Sequence, residues 1–264
     1  MTAWHRLDDE LDAWRAAGRQ PTLWCRDDDA CRDTPALRQL LAIAAAQDVP
    51  VALASIPASL APDLVDVVMR SPRATVIQHG YAHANHALPL ERKRELGTHR
   101  PLSLTLDELQ FGQGMLRRGF GGRFAAVLVP PWNRIAVEVI ERLPGIGFLG
   151  LSTLGPRGAI HPVPSLVQCN THVDLIAWRS NRAFVGTDAA IECLLLHLRA
   201  RRNESVDAIE PTGILTHHLD MDAAGWRFMP DLLERTRKGG ALWLDVQAVF
   251  AASATATTTF GRST

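Results

Sequence analysis

Short runs of near-continuous Val, Ile and Leu recur along the chain, each followed by a stretch with helical spacing of apolar residues. TLWCRDD (22–28), VPVALASIP (49–57), ATVIQHG (74–80), AAVLVPP (125–131), GFLGLST (147–153), VDLIAW (173–178), TGILTHHL (212–219) and ALWLDVQAVF (241–250) read as strands. ALRQLLAIAAAQ, preceded by Thr34 as N-cap and Pro35 as first helical residue, reads as a helix. LAPDLVDVVMR, AVEVIERL, DAAIECLLLHLRARR and GWRFMPDLLERTRK do too, as does a segment through Arg118 opened by Thr105 and Glu108 at capping-box spacing. Strands apolar on both faces, separated by amphipathic helices, define a parallel sheet covered by helices. The pattern predicts an α/β fold: an irregular (β/α) barrel of about seven parallel strands with outer helices. A doubly wound open sheet is the alternative. No composition shift divides the chain, so residues 1–250 are expected to form one domain. The low-complexity tail 251–264 is expected to be disordered. The polar segment 86–104 resembles a long loop over the barrel mouth.

Composition narrows the function classes. Lys plus Arg (28) equals Asp plus Glu (28), so bulk charge points to no nucleic acid and no acidic membrane surface. The start, MTAWHRLDDELDAW, is amphipathic and acidic, without the basic n-region and apolar core of a signal peptide. Runs of about 18 apolar residues are missing, which argues against membrane insertion. The four cysteines form no C-x-x-C pair. Reduced thiols and a cytoplasmic location are the expectation.

Barrel enzymes collect their chemistry at the C-terminal ends of the strands, and here those ends are rich in acid–base and ligand-type side chains. One ends in Arg26-Asp27-Asp28-Asp29, another in His79-Gly80-Tyr81-Ala82-His83 with His86 beyond. A third ends in Val129-Pro130-Pro131-Trp132-Asn133-Arg134 and a late one in Leu215-Thr216-His217-His218. Each motif alone is weak: an Asp run is usually a cap or turn, and an H-x-x-x-H pair arises readily by chance. Four of them at successive strand ends point to a metal site.

The order Asp-Asp, H-x-x-x-H, Pro-Pro-aromatic, Leu-x-His resembles the polysaccharide deacetylase family, the nodulation-protein-B homology domain of family 4 carbohydrate esterases, over roughly residues 20 to 250. The resemblance implies a distorted (β/α) barrel and a divalent metal, most often Zn²⁺, held by one Asp and two His. It implies hydrolysis of an acetyl group, N-acetyl before O-acetyl, on a sugar or polysaccharide precursor. His79 and His83 match the histidine ligands, His217 the general acid, and Leu215 the residue lining the acetyl pocket. The family has two adjacent Asp, a base then a ligand; this chain has three. Residues 26 and 28 share a strand face, so Arg26 can pair with Asp28, leaving Asp28 as base and Asp29 as ligand. The other register makes Asp27 the base and Asp28 the ligand. In such a site the metal activates water and polarises the acyl carbonyl, the Asp takes a proton, and His217 protonates the departing amine.

This chain departs from the family pattern at Val129, where an arginine commonly orients the catalytic Asp; Arg26 or Arg134 are candidate substitutes. Asp174 and Trp178 only approximate a second motif, with Asp174 a candidate to orient His217 and Trp178 to wall the acetyl pocket. Trp132 is expected at the groove, its backbone N–H a possible oxyanion donor. His86 is read as a loop residue, with a third ligand as the alternative. Two other functions fit the same residues: a non-catalytic sugar-binding or regulatory protein on a degenerate barrel, and a metalloamidase acting on a small molecule.

Overall fold

The computed structural model of the chain describes residues 2–255. In chain order the elements are α1 (Ala3–Ala16), β1 (Thr22–Ala30), α2 (Pro35–Ala46), β2 (Val51–Ser55), α3 (Pro62–Met69), β3 (Ala74–His79), α4 (Leu102–Phe120), β4 (Phe124–Val129) and α5 (Val137–Ile140). They continue with β5 (Gly150–Leu151), β6 (Val167–Gln168), β7 (Val173–Asp174), α6 (Thr187–Arg202), β8 (Thr212–Thr216), α7 (Ala223–Lys238), β9 (Leu242–Trp243) and α8 (Val246–Thr255).

The strands lie in the order β6-β5-β4-β3-β2-β1-β8-β7, every pair parallel, and β9 pairs with the start of β1. The sheet curls into a half-barrel with flanking helices, as the alternation of apolar runs and amphipathic segments predicts. Because all strands run the same way, the loops after β1, β3, β4, β7 and β8 emerge at one end.

Alternation along β1 divides its side chains between two cores. Leu23 and Cys25 pack outward in the large apolar layer beneath the helices, with Leu37, Leu194 and Leu232. Trp24 points the other way, into a smaller cluster with Ala52, Ile77, Val127 and Val129. Burying a Leu-sized side chain in either layer contributes about 2 kcal/mol.

Several local expectations are corrected. ALWLDVQAVF is not one strand: only Leu242 and Trp243 pair, and α8 follows. Val246 and Val249 of that helix enter the cluster around Trp24, so the apolar run reflects burial inside the curve of the sheet. The helix after the long loop begins at Leu102, with Thr105 a buried interior residue and Glu108 ion-paired to Arg100, so the capping box is not used. Within the connection preceding VDLIAW, Val167 and Gln168 form a short edge strand that the polar, proline-rich sequence conceals. The segment 86–104 is a loop only to Pro101, and it is not exposed throughout: Glu95 and Leu96 are buried. Of the tail, Ala251–Thr255 belongs to α8, and the remainder lies outside the described residues.

Candidate metal centre and neighbouring catalytic groups

Asp28 and Asp29 are consecutive, and in a regular strand their side chains would point to opposite faces. The pairing of β1 with β2 shifts register between Asp27 and Ala30, and Asp29 adopts a left-handed backbone, φ 72°. This bulge turns Asp29 toward the same mouth as Asp28. His83, Trp132 and Asn133 also have positive φ (55°, 57° and 56°). Such backbone costs of order 1–3 kcal/mol per residue, and four instances meet around one site.

Asp29, His79 and His83 bring one ligand atom each to within 4.8 Å of one another. Asp29 Oδ1 lies 3.4 Å from His79 Nε2 and 3.6 Å from His83 Nε2. His79 Nδ1 is 3.0 Å from the Val129 carbonyl, which accepts its proton and leaves the Nε2 lone pair facing Asp29. Asp29 Oδ1 is buried and, among the described residues, has no hydrogen-bond partner. A carboxylate oxygen without a donor, facing two imidazole lone pairs, suits a divalent cation, and the one-carboxylate, two-imidazole set leaves positions open for water and substrate. Burial pushes the Asp29 carboxyl up, but the adjacent imidazole of His79, with those of His83 and His217, holds it well below the usual carboxylate range. For His79, burial is outweighed by Asp28 and Asp29, which raise it; for His83, burial and the nearby His79 prevail and lower it.

Asp28 is held differently. Arg26 Nε donates to its Oδ1 at 2.9 Å and Nη2 to its Oδ2 at 3.1 Å. The guanidinium is itself fixed by Ser152 Oγ (2.8 Å) and Asn133 Oδ1 (2.8 Å). Arg134 is elsewhere, donating to the Lys93 carbonyl. Asp27 has both oxygens engaged by the loop after β8: Oδ2 accepts from Thr216 Oγ1 (2.7 Å) and the His218 N–H (2.9 Å), and Oδ1 lies 2.5 Å from His218 Nδ1. The three aspartates thus have three settings: Asp27 anchors a loop, Asp28 meets Arg26, and Asp29 meets the histidines.

That anchored loop brings His217 Nε2 to 3.9 Å from Asp28 Oδ2. Trp178 packs edge-on against the His217 ring, centroids 4.6 Å apart. Asp174 accepts from Trp178 Nε1 at 2.8 Å and interacts with His217 through its charge, while His217 Nδ1 is buried and, among the described residues, has no hydrogen-bond partner. Leu215 is buried on β8 opposite Arg26. Trp132 lies against His83, centroids 4.4 Å apart. His86 stands apart from the triad: its Nε2 accepts from Arg100 at 2.8 Å.

Glu95 sits in a polar loop, where nothing in the sequence marks it out. It accepts the backbone N–H groups of Tyr81 (3.3 Å) and Ala82 (2.7 Å), shaping the turn between His79 and His83. Asn133, Ser152, Thr216 and His218 were equally silent as partners of Arg26 and Asp27, since each contact spans more than 100 residues.

A second group, His172, His197 and Glu210, also lies close enough to hold an ion. Here the chemistry does not fit. The Gly213 N–H donates to His172 Nδ1 at 3.0 Å, so the neutral ring carries its proton on Nε2, facing Glu210 Oε2 at 3.4 Å. A protonated nitrogen has no lone pair for a metal.

No family model matches the chain, and no curated protein does either. Solved structures do. The Bc1960 peptidoglycan N-acetylglucosamine deacetylase aligns over 88% of this chain and 89% of its own, with TM-score 0.59 and 13% identity. The family 4 carbohydrate esterase from Streptomyces lividans, in complex with acetate, aligns over 84% and 91%, with TM-score 0.55 and 15% identity. A CE4 family pseudoenzyme from Bacillus anthracis aligns over 88% of this chain and 66% of its own, with TM-score 0.57 and 14% identity. The chain has the polysaccharide deacetylase fold of the family 4 carbohydrate esterases.

Proposed function

We propose that the protein is a metal-dependent deacetylase that removes an acetyl group, N-acetyl in preference to O-acetyl, from a sugar or glycan precursor. The observation that carries this reading is the adjacency of two differently held carboxylates, Asp28 and Asp29, with His79 and His83 on one side and His217 on the other. Asp29, His79 and His83 are the assigned ligands, and Zn²⁺ is the assigned ion because imidazole and carboxylate donors suit it. When bound there, the ion supplies Lewis-acid polarisation of the acyl carbonyl and acidifies water.

The remaining roles fall to the chain. Asp28, aligned by Arg26, takes the proton of the attacking water. His217, held by the Asp27–His218 anchor and walled by Trp178, gives a proton to the departing amine, which leaves poorly without one. Trp132 and Trp178 flank the site, and Leu215 is the assigned lining of the acetyl pocket. The Trp132 N–H is the assigned oxyanion donor. In the described residues no helix is long and apolar enough to cross a membrane. All four cysteines are free, which supports a cytoplasmic setting.

The test is acetate release from N-acetylglucosamine oligomers and from nucleotide-linked or monomeric acetylated sugars, with and without added Zn²⁺. Zinc-dependent release lost in His79→Ala and His83→Ala is the expected result. A second reading, a non-catalytic glycan binder, is favoured by Val129, which is fully buried and apolar where the family commonly has an arginine. Binding of acetylated glycans to metal-loaded protein with no acetate released would select it.

A further inference from the structure

The chain as a whole is electrically balanced, yet its mouth is not. Arg92, Lys93 and Arg94 follow one another in the loop between β3 and α4, and Arg134 from the turn after β4 donates to the Lys93 carbonyl at 2.8 Å, joining the two loops. Partial burial, and then the positive charges of Arg92, Arg94 and Arg179, hold the Arg134 guanidinium below its ordinary range. Arg179 follows Trp178, which packs on His217, in the segment after β7, so three separate loops bring cations to the mouth. Among the described residues, none of Arg92, Lys93, Arg94, Arg134 and Arg179 forms an ion pair with a carboxylate. Arg94 Nε is buried and, among the described residues, has no hydrogen-bond partner.

The cluster adjoins the catalytic groups. Lys93 Nζ stands 5.9 Å from the centre of the Trp132 ring, which packs on His83. On the other flank Arg182, which is ion-paired with Asp220 at 3.4 Å and so already compensated, stands 5.2 Å from the Trp178 ring, which packs on His217. A neutral glycan offers hydroxyls and amides, which give uncompensated guanidinium groups nothing to neutralise them. Guanidinium forks match carboxylate and phosphate oxygens, and like charges gathered at a cleft attract anions.

We propose that the substrate is an anionic sugar, bearing an oxyanion such as a phosphate ester or a carboxylate beside the acetylated ring, and that Arg92, Lys93, Arg94, Arg134 and Arg179 receive that group. The inference takes the deacetylase reading for the acetyl end of the ligand and adds the charge at the other.

Calorimetric binding to metal-free protein tests it without relying on turnover, comparing N-acetylglucosamine, its 1-phosphate and N-acetylglucosaminuronic acid. At low salt the 1-phosphate or the uronic acid should bind at least about tenfold more tightly than the neutral sugar, with the gap shrinking as ionic strength rises. Whichever of the two is preferred names the oxyanion. Arg92→Gln and Arg179→Gln, at exposed positions, should each weaken the charged ligand about threefold or more and leave the neutral sugar unchanged. Equal affinity for charged and neutral sugars, or equal losses for both in the variants, would overturn the proposal. Acetate release at equal rates from charged and neutral sugars also counts against it while leaving the deacetylase reading intact. Anion-selective binding with no acetate released from any sugar upholds it and removes that reading instead.

Discussion

Arg26 and Asp28, two positions apart on one strand, form a bidentate ion pair with side-chain exposures of 0% and 3%. The pair places Arg26 to align Asp28, and Val129, at the end of β4, packs in the apolar cluster around Trp24. Removing one partner of a buried pair leaves an uncompensated charge, at a cost of about 3–5 kcal/mol. Arg26→Gln is therefore expected to lower urea-unfolding stability by about 3 kcal/mol. It should also reduce kcat about 100-fold with little change in KM, because Asp28 loses its alignment. A rise in KM alone would assign Arg26 to substrate binding.

The two neighbouring aspartates are expected to separate cleanly in mutation. Asp29→Asn should weaken Zn²⁺ binding by at least about tenfold, read by competition with a chromogenic chelator, since the carboxylate is the anionic donor of the triad. Asp28→Asn should retain the ion and lose about 10²–10⁴ in kcat, the usual share of a general base. If Asp28→Asn released the metal and Asp29→Asn did not, the other register of the aspartate run would apply.

The sequence carries the barrel because parallel strands buried on both faces leave a signal that local packing cannot hide. The histidines were legible too, since His79 and His83 lie on one strand end and its loop. The aspartates were harder, because strand period alone sends residues 28 and 29 to opposite faces, and only the bulge at Asp29 reunites them. Period does place residues 26 and 28 together, and their pairing is what the structure contains. The anchoring contacts Asp27–His218 and Arg26–Ser152 bridge distant segments and have no local pattern. ALWLDVQAVF misled because burial makes a helix plugging a sheet as uniformly apolar as a strand.

Gly80 links β3 to the loop carrying His83, with φ +55°. A Cβ there would stand 1.9 Å from Glu95 Oε2 and 2.6 Å from a Pro131 ring carbon. The added methyl must displace the carboxylate that receives the Tyr81 and Ala82 N–H groups. Gly80→Ala is expected to destabilise the fold by about 2 kcal/mol or more. Metal affinity should fall in parallel as His83 loses its place. Glu95→Gln, which keeps an acceptor at one oxygen, should be milder in both measurements; if it matched Gly80→Ala in metal loss, the carboxylate charge rather than the turn would be the cause.

His197 gives a pH dependence with a definite sign. It is buried, with Nδ1 2.9 Å from Thr212 Oγ1, and stacked on His172 with ring centroids 3.4 Å apart. Burial first, then the charges of His172 and Arg201, pull its pKa down to about 2. A depressed histidine binds fewer protons folded than unfolded, so its contribution is present above the unfolded value near 6.5 and fades as pH falls below it. Stability should therefore drop on acidification by roughly 1 kcal/mol per pH unit from this site. His79 and His218, with their pKa raised, work in the opposite sense, and His83 and His172, with theirs lowered, in the same one, so the bare slope of the protein mixes them all. Comparing urea unfolding of the protein and His197→Gln between about pH 5 and 7.5 cancels these other parts and isolates the buried ring. The variant should be the less acid-sensitive of the two, by close to one proton. Coincident slopes would mean that His197 takes up its proton within the fold, and that the stack with His172 opens to admit it.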